Sequence, residues 1–324
     1  MEPQIDRRAF LKSIPVAAAG IAGAASAATT ASGAMPDKAA PAPMRFVNPR
    51  KVILQENTRK EIREWFDSGN LKAAILPACS IEQHNEHMSI DSDYVIPSLI
   101  AQQIALRLYP NVVVAPASPC GFAPYHMNRR GTVTLRKETF QAYLFDVLSS
   151  LKSHGIKTLL VLNGHGGNHV PIQDVLPEWR KALGVTIAAE SYWYAHPPEY
   201  LKSLIGFSSH TSHAGILETS MYMAAFPERL RDFTLKEYDD AKLDFESGFT
   251  PDVREFLNRD DRSRPTRLPG ENLRDRMRQD EAQLATREYG EALLSQAVNV
   301  FSDKLRQMMA ATEAGESWPP AQQA

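Results

Sequence analysis

The 324-residue sequence predicts an α/β fold, a three-layer sandwich with a mostly parallel central sheet. Two observations carry this prediction. Short apolar runs typical of buried strands alternate with longer segments of helical periodicity, an order that indicates a parallel sheet covered by helices on both faces. The polar motifs of the chain also follow directly on predicted strands, which is where open α/β sheets bind their ligands.

The strands are predicted from their length and residue types. Residues 73–78 form a short apolar run, residues 111–116 are β-branched and end at a proline, and residues 158–163 form the clearest buried strand. Residues 185–189 complete the set. The spacing of apolar residues predicts helices over 94–108, 137–154, 170–183, 214–225 and 281–309.

Composition restricts the class of protein. A hydrophobic content of 43% with 23% charged residues excludes a collagen-like or wholly disordered chain. The net charge of −2 offers no surface for polyphosphate, so nucleic acid is not an expected partner. Two cysteines are too few for a disulfide-dense scaffold. All nine histidines lie between His84 and His213, which concentrates the commonest metal ligand in one part of the chain.

The amino-terminal segment is predicted to be an export signal. Arg7-Arg8 precedes Phe10-Leu11-Lys12 and an Ala/Gly-rich stretch, an order that resembles the twin-arginine signal. The stretch is too weakly apolar for a membrane span, which needs about 20 strongly apolar residues. We therefore expect a periplasmic or secreted protein, exported folded by the twin-arginine machinery. The alternative is a chance Arg-Arg pair before a low-complexity tail.

The domain organisation follows from these features. Residues 1–34 are predicted as the signal peptide with its cleavage region, and residues 35–49 as an Ala/Pro-rich linker. Residues 50–312 are predicted to form one folded domain, and residues 313–324 a frayed tail. Within the domain, the charged segment from Lys236 to about Gln283 is interpreted as a surface excursion rather than a functional arm.

The first polar cluster follows the predicted strand 73–78. Glu82 and His84 are two residues apart, so an extended backbone points both side chains to the same side. Asp93 precedes a predicted helix and can turn its carboxylate back toward them. Carboxylate and imidazole ligands together suit zinc, manganese or iron(II). The alternative is a hydrated polar loop.

The second cluster, Asn163-Gly164-His165-Gly166-Gly167-Asn168, follows the clearest strand. Its three glycines allow backbone and ligand to approach closely and place His165 at the mouth of the sheet. A phosphate-binding turn is the less favoured alternative. The segment lacks both the lysine of a P-loop and the spacing of the dinucleotide fingerprint.

The third cluster runs from Ser209 to Ser220. His213 lies at the start of a predicted helix, and Glu218 follows within an otherwise apolar stretch. Burying an unpaired carboxylate there would be costly, and a metal ion would compensate it. The alternative is a helix cap together with a salt-bridged glutamate.

Together these clusters resemble the creatininase (creatinine amidohydrolase) family over about residues 70–225. The shared pattern is Ser-x-Glu-x-His with an aspartate eleven residues after the glutamate, then Asn-Gly-His-Gly-Gly-Asn, then His-Ala-Gly-x-x-Glu-Thr. Gly131-Thr132, with His126 upstream, resembles the middle segment of the family.

The resemblance implies a two-metal amidohydrolase, often assembled as a homo-hexamer. It implies that Glu82 and His165 hold one divalent ion and that His84 and Glu218 hold the other. Asp93 would bridge the two ions. Zinc is the expected metal, with manganese or iron as alternatives.

The implied reaction is hydrolysis of a small cyclic amide, formamide or peptide-like substrate at its C–N bond by a metal-activated water. His213 is the implied general acid/base, and Glu218 completes the catalytic pair. Creatininase has a glutamate where this chain has Gly167, so the last ligand role is assigned to Glu218, as in family members with the Gly-Gly form. The alternative function is a catalytically inactive, metal-loaded binding protein of the same fold.

Several residues depart from the family pattern or have two interpretations. The family usually has Gly at Cys79, Gly at Asn85 and Pro at Glu86, which puts the substrate in doubt. Cys79 and Cys120 both follow predicted strands and are either paired in an oxidising compartment or two buried thiols. Tyr192-Trp193-Tyr194 is either a substrate wall or a core or oligomer contact.

Overall fold

The computed structural model describes residues 50–127, 131–206, 213–231 and 281–318. They lie within one compact unit, Ala42–Ala324. The predicted signal peptide and linker lie outside the described residues, as do most of the predicted charged excursion and the end of the predicted tail. Among the helices that are described, none combines the length and the apolar composition needed to cross a membrane.

The middle layer of the described structure is a sheet of four parallel strands. They are β1 (Ala73–Ala78), β2 (Val112–Val114), β3 (Thr158–Asn163) and β4 (Thr186–Ser191), in the order β2-β1-β3-β4. The first three strands are buried along their whole length. Burial on both faces explains why these strands are continuous apolar runs.

Helices cover both faces of the sheet. Ala73 and Ile75 of β1 belong to one hydrophobic core, whereas Ala74, Leu76 and Ala78 belong to a second core on the opposite face. This division follows from the alternation of side chains along a strand. The α-helices of the described residues are α1 (Arg59–Asp67), α2 (Ser92–Arg107), α3 (Lys137–Ser153), α4 (His169–Leu183), α5 (Pro198–Ile205), α6 (Ile216–Ala225) and α7 (Arg287–Ala314).

The helices divide between the two cores. Residues of α2, α6 and α7 fill the first core, and residues of α3 and α4 fill the second. The predicted α/β sandwich of three layers with a parallel central sheet is therefore confirmed. Short 3-10 helices lie at Leu54–Glu56, Pro124–His126, Gly166–Asn168, Tyr192–Ala195 and Pro227–Arg229.

The strand order brings two loops together at the carboxyl edge of the sheet. β1 lies between β2 and β3. The chain therefore passes from β1 to β2 on one side and then crosses to β3 on the other side of β1. Ala78 and Asn163 are paired in register, so β1 and β3 end side by side. A crevice at such a reversal of strand order is where doubly wound sheets bind ligands.

Two helices were not predicted, and one differs from its predicted bounds by more than two residues at each end. α1 begins with a capping box in which Thr58 and Glu61 exchange hydrogen bonds. That Thr-x-x-Glu spacing is the signal that could have identified α1, whereas α5 is a short helix of eight residues. α7 starts later than predicted because Thr286 caps it, and it extends to Ala314 before Gly315 takes a left-handed conformation with φ 71°.

Helices α6 and α7 approach so closely at Gly290 that a side chain has no room. A Cβ on Gly290 would overlap the Ser220 carbonyl oxygen and lie 2.8 Å from the Cβ of Ala224. We predict that Gly290→Ala lowers the free energy of unfolding by about 1–3 kcal/mol, measured as a lower urea midpoint. Ser295→Ala on the exposed side of α7 is the control and should change it by less than about 0.5 kcal/mol. Equal midpoints for Gly290→Ala and wild type would contradict the close approach.

Candidate metal centre

The first polar motif is buried as soon as the chain leaves β1. Glu82 is 2% exposed and His84 is 0% exposed. The loop folds back toward α2, because the Glu82 N–H donates to the Ile90 carbonyl oxygen at 3.0 Å. Asp93 is buried in the first turn of α2, where the helix amino terminus favours a carboxylate. The structure therefore brings Glu82, His84 and Asp93 together.

The second motif is fixed by Asn163 and by its glycines. The Asn163 side chain accepts a hydrogen bond from the His165 N–H at 3.1 Å and donates one to the His165 carbonyl oxygen at 2.8 Å. A Cβ on Gly164 would overlap Pro97 of α2, and a Cβ on Gly167 would overlap a backbone carbonyl oxygen. The glycines thus permit the close approach that places His165 against α2.

The third motif reaches the same place from α6. Glu218 lies in the first turn of α6, and its Oε2 accepts a hydrogen bond from the Ala214 N–H at 2.6 Å. The same Oε2 is 3.5 Å from His84 Nε2. Ala214 takes a positive φ of 50°, which turns the chain into the helix. His213, just before this turn, is 8% exposed.

Asp93 lies between two histidines. Its Oδ1 is 3.2 Å from His84 Nε2, and its Oδ2 is 2.8 Å from His165 Nδ1. Glu82 Oε2 is also 3.2 Å from His165 Nδ1. Two groups result, Glu82 with His165 and His84 with Glu218, and they share Asp93. The five residues implied as metal ligands thus lie together in the implied grouping, and their binding of ions stays a prediction.

Burial and charge pairing oppose each other in this cluster. Burial disfavours the charged form of His165, but the carboxylates of Glu82 and Asp93 raise its pKa to about 10. Burial likewise lowers the pKa of His84, but Asp93 and Glu218 together outweigh it and hold that pKa well above its ordinary value. Burial would raise the pKa of Glu82 and Asp93, yet the positive histidines lower both. Burial raises the pKa of Glu218.

The hydrogen bonds of His84 and His165 define their tautomers. His84 Nδ1 is 3.1 Å from the Glu82 carbonyl oxygen, and His165 Nε2 is 3.2 Å from the Phe122 carbonyl oxygen. Because a carbonyl oxygen only accepts, these two nitrogens carry hydrogen. In the neutral rings the lone pairs are therefore His84 Nε2 and His165 Nδ1, the nitrogens that face the carboxylates.

Lone pairs that face carboxylates at His84 and His165 are the arrangement expected around bound cations. A lone pair opposite carboxylate oxygens is repulsive unless a proton or a cation lies between them, and metal-ligating histidines usually donate their second N–H to a carbonyl in this way. Among the described residues, His84 Nε2 and Glu82 Oε2 are buried side-chain atoms that make no hydrogen bond. The donor set of imidazole and carboxylate suits zinc or manganese.

Two further histidines face the Glu82 carboxylate. His213 Nδ1 is 3.1 Å from Glu82 Oε1, and His126 Nε2 is 3.5 Å from Glu82 Oε2. The two rings stack with centroids 4.6 Å apart. Burial lowers the pKa of His126 to about 4 and that of His213 to about 3, so both are neutral at pH 7. A neutral imidazole here can accept a proton, as the predicted acid/base role of His213 requires.

Gln83 joins this pair and was missed by the sequence analysis. Its Nε2 is 3.1 Å from His126 Nδ1 and 3.0 Å from His213 Nε2. The signal in the sequence is only its position between Glu82 and His84, because nothing in its own residue type distinguishes it from a surface glutamine.

The cysteines and the aromatic group have different surroundings. Cys79 is fully buried, Cys120 is partly exposed, and both are free thiols, so the unpaired alternative holds in the structure. Tyr192 is buried in the hydrophobic core, Trp193 packs partly against it, and Tyr194 is 55% exposed. The group therefore contributes a core residue at one end and an exposed ring at the other.

The fold and the cluster define an α/β protein with a potential metal-binding site at the carboxyl ends of its central strands. Residues 55–305 match the sequence model of the creatininase family, which is described as creatinine amidohydrolase. The chain belongs to the creatininase family.

Three relatives illustrate the range of the family. The chain is 25% identical over 273 residues to creatinine amidohydrolase of Pseudomonas putida, covering 80% of this chain and 97% of the relative. It is 30% identical over 185 residues to 3-dehydro-scyllo-inosose hydrolase of Thermotoga maritima, covering 56% of this chain and 58% of the relative. It is 25% identical over 161 residues to the mycofactocin precursor peptide peptidase of Mycobacterium ulcerans, covering 48% of this chain and 58% of the relative.

Solved structures show the same fold. The crystal structure of a creatinine amidohydrolase matches with a TM-score of 0.62 at 22% identity, covering 80% of this chain and 98% of that chain. A variant creatininase of Zn-Zn type and a manganese creatininase match with TM-scores of 0.62 and 0.60, at 22% and 23% identity, each covering 80% of this chain and 99% of the other.

The two thiols should differ in reactivity. Burial raises the pKa of Cys79, whereas Cys120 is less enclosed, and alkylating reagents attack accessible thiolates. We predict that the native protein is alkylated at Cys120 alone and that both thiols react after denaturation without reductant, as counted by mass spectrometry. In the Cys120→Ser control, native protein should stay unlabelled and denatured protein should take one label. Two thiols that react only after reduction would instead show a disulfide.

Proposed function

We propose that the protein is a metal-dependent amidohydrolase that cleaves the C–N bond of a small cyclic amide, formamide or peptide-like substrate. The observation that carries the proposal is Asp93, with a histidine nitrogen opposite each carboxylate oxygen. The named relatives are an amidohydrolase, a hydrolase and a peptidase, so hydrolysis is the chemistry they share.

The proposed ion sites follow the two groups. Glu82 and His165 would hold one divalent ion, His84 and Glu218 the other, and Asp93 would be shared. The zinc and manganese forms of related creatininases support these two metals as the candidates. When bound, the ions would supply Lewis acidity and lower the pKa of a water molecule.

The remaining chemistry belongs to side chains of this chain. His213, neutral at pH 7, would take up a proton during attack on the carbonyl carbon and deliver it to the leaving nitrogen. Glu218, held by the Ala214 N–H, completes the proposed catalytic pair with His213. The burial of Glu82, His84 and Asp93 keeps bulk water from screening the charges that orient the substrate.

A second hypothesis is a catalytically inactive, metal-loaded binding protein of the same fold. Screening the metal-loaded protein against a library of amides and lactams separates the two hypotheses. Turnover of any of these compounds supports the enzyme, and bound metal without turnover across a broad library supports the binding protein.

The sequence supports two further proposals about the whole chain. The twin-arginine-like segment supports export of the folded protein to the periplasm or the exterior. The family resemblance supports a homo-oligomer, with a hexamer as the expected state, which sedimentation analysis of the purified protein would measure.

Replacing His165 should remove metal and activity together. His165→Ala deletes a nitrogen that faces both Glu82 and Asp93, and we expect at least about a tenfold loss of metal affinity. Metal content by elemental analysis and hydrolysis of the best substrate are the measurements. His154→Ala, an exposed histidine at the end of α3, is the matched control and should retain both. Full activity in His165→Ala would refute the proposed site.

Replacing the arginine pair should block export. The double variant Arg7→Lys, Arg8→Lys keeps the charge but removes the pair that the twin-arginine signal requires. We expect the full-length precursor to accumulate in the cytoplasm, measured by cell fractionation and immunoblotting. Lys12→Arg, which leaves the pair intact, is the control and should be exported. Export of the double variant at the wild-type level would contradict the signal.

A further inference from the structure

The side chain of Gln83 has a fixed orientation. Its Oε1 is 3.1 Å from the backbone N–H of Asn85, and its own backbone N–H donates to Thr132 Oγ1 at 3.3 Å. An N–H only donates, so the atom of Gln83 that faces Asn85 must be the carbonyl oxygen. The opposite orientation would place two donors against each other.

The amide nitrogen of Gln83 then faces two imidazole rings. It lies 3.0 Å from His213 Nε2 and 3.1 Å from His126 Nδ1. A primary amide has two hydrogens, and its nitrogen does not accept, so each ring receives one hydrogen bond. His213 Nε2 and His126 Nδ1 must therefore both be lone pairs.

The second nitrogen of each ring faces Glu82. His213 Nδ1 is 3.1 Å from Glu82 Oε1, and His126 Nε2 is 3.5 Å from Glu82 Oε2. Because the Gln83 amide donates to the other nitrogen of each ring, His213 Nδ1 and His126 Nε2 are the nitrogens that carry hydrogen. For His213, a carboxylate on one side and an amide donor on the other thus select one tautomer. For His126, the amide donor selects the tautomer by itself.

The placement of hydrogens on the rings distinguishes His126 and His213 from the candidate metal ligands His84 and His165. Glu82, His126 and His213 have ligand atoms within 4.8 Å of one another and would serve as a third metal site on distance alone. Because the nitrogens of His126 and His213 that face Glu82 carry hydrogen, neither ring offers a lone pair to a cation there. At His84 and His165, by contrast, backbone carbonyl oxygens take the N–H groups and leave the lone pairs facing carboxylates.

We propose that Gln83 is a positioning residue that holds the proton of His213 on Nδ1 and that of His126 on Nε2. His213 Nε2 is then the lone pair that accepts a proton during hydrolysis once the Gln83 amide turns away from it, a consequence that rests on the proposed function. The tautomers themselves do not depend on it.

The test is nitrogen-15 NMR of the zinc-loaded, full-length protein labelled in its histidine rings. Spectra of His213→Ala and His126→Ala identify the signals of the two rings by their loss. We expect His213 to be protonated on Nδ1 and His126 on Nε2. A wild-type His213 that carries its proton on Nε2 alone would overturn the proposal, whatever the variants below do.

Gln83→Glu is the informative variant. It retains an oxygen for the Asn85 N–H and nearly the same volume, but it replaces the amide donor with an acceptor. We expect His213 Nε2 and His126 Nδ1 to gain hydrogen in this variant. Gln141→Glu, whose amide donates to the Pro171 carbonyl oxygen away from the cluster, is the control and should leave both rings unchanged. Unchanged tautomers in Gln83→Glu would also overturn the proposal.

Kinetics separate this proposal from the proposed function. If both hold, Gln83→Glu should lower kcat by about 10²-fold, change KM by less than about threefold, and leave the zinc content unchanged. The expected tautomers in a wild-type protein that hydrolyses no substrate would refute the hydrolase and leave the role of Gln83 intact. An active enzyme with the opposite tautomers would refute the role of Gln83 alone.

Discussion

The arrangement around Asp93 is the constraint on which the rest of the site depends. A buried carboxylate is costly unless charge or hydrogen bonds compensate it, and Asp93 is 3% exposed with a histidine nitrogen opposite each oxygen. Removing one member of such a buried group leaves an uncompensated charge, which costs more than the group contributes when complete. The surrounding chain therefore has to hold three carboxylates and the opposing imidazoles in one geometry.

Neighbouring side chains hold the helix start that carries Asp93. Asp91, immediately before α2, accepts hydrogen bonds from the Tyr222 hydroxyl at 2.8 Å and from Arg229 Nη1 at 2.6 Å. These contacts tie the start of α2 to α6 and to the turn that follows α6. Because α6 also carries Glu218, the same contacts help to fix the distance between Asp93 and Glu218. The geometry is thus set by a polar network outside the cluster as well as by the strands.

Much of the fold followed from local patterns, and the limits have physical causes. β3 was predicted at its observed bounds because it is buried on both faces, which makes its apolar run uninterrupted. α1 was missed because it is only nine residues long and none of them is fully buried, so it offers few apolar positions from which to recognise a helix. The candidate ligands could be predicted because residue type and spacing carry the chemistry. Gln83 could not, because its role depends on the orientation of Asn85 and on two rings far away in sequence.

The same distinction applies to tautomers. The sequence names four histidines near the site, but whether a ring faces a carbonyl oxygen or an amide donor is decided by tertiary packing. Glycines that admit the β3 loop against α2 place His165 beside the Phe122 carbonyl oxygen. Histidines of one cluster thereby differ in polarity: His84 and His165 turn lone pairs toward the carboxylates, whereas His126 and His213 turn N–H groups toward Glu82.

The close approach at Gly290 has a consequence for the order of folding. α6 carries Glu218, and α7, the last helix of the described chain, packs against it where Gly290 meets Ser220. This contact spans a large separation in sequence, and such non-local contacts form late because loop closure must precede them. During synthesis the sheet and the first two motifs emerge well before α7. Helix α7 can therefore act as the final brace of the site, because the helix that carries Glu218 is covered only after residues 287–314 have been synthesised.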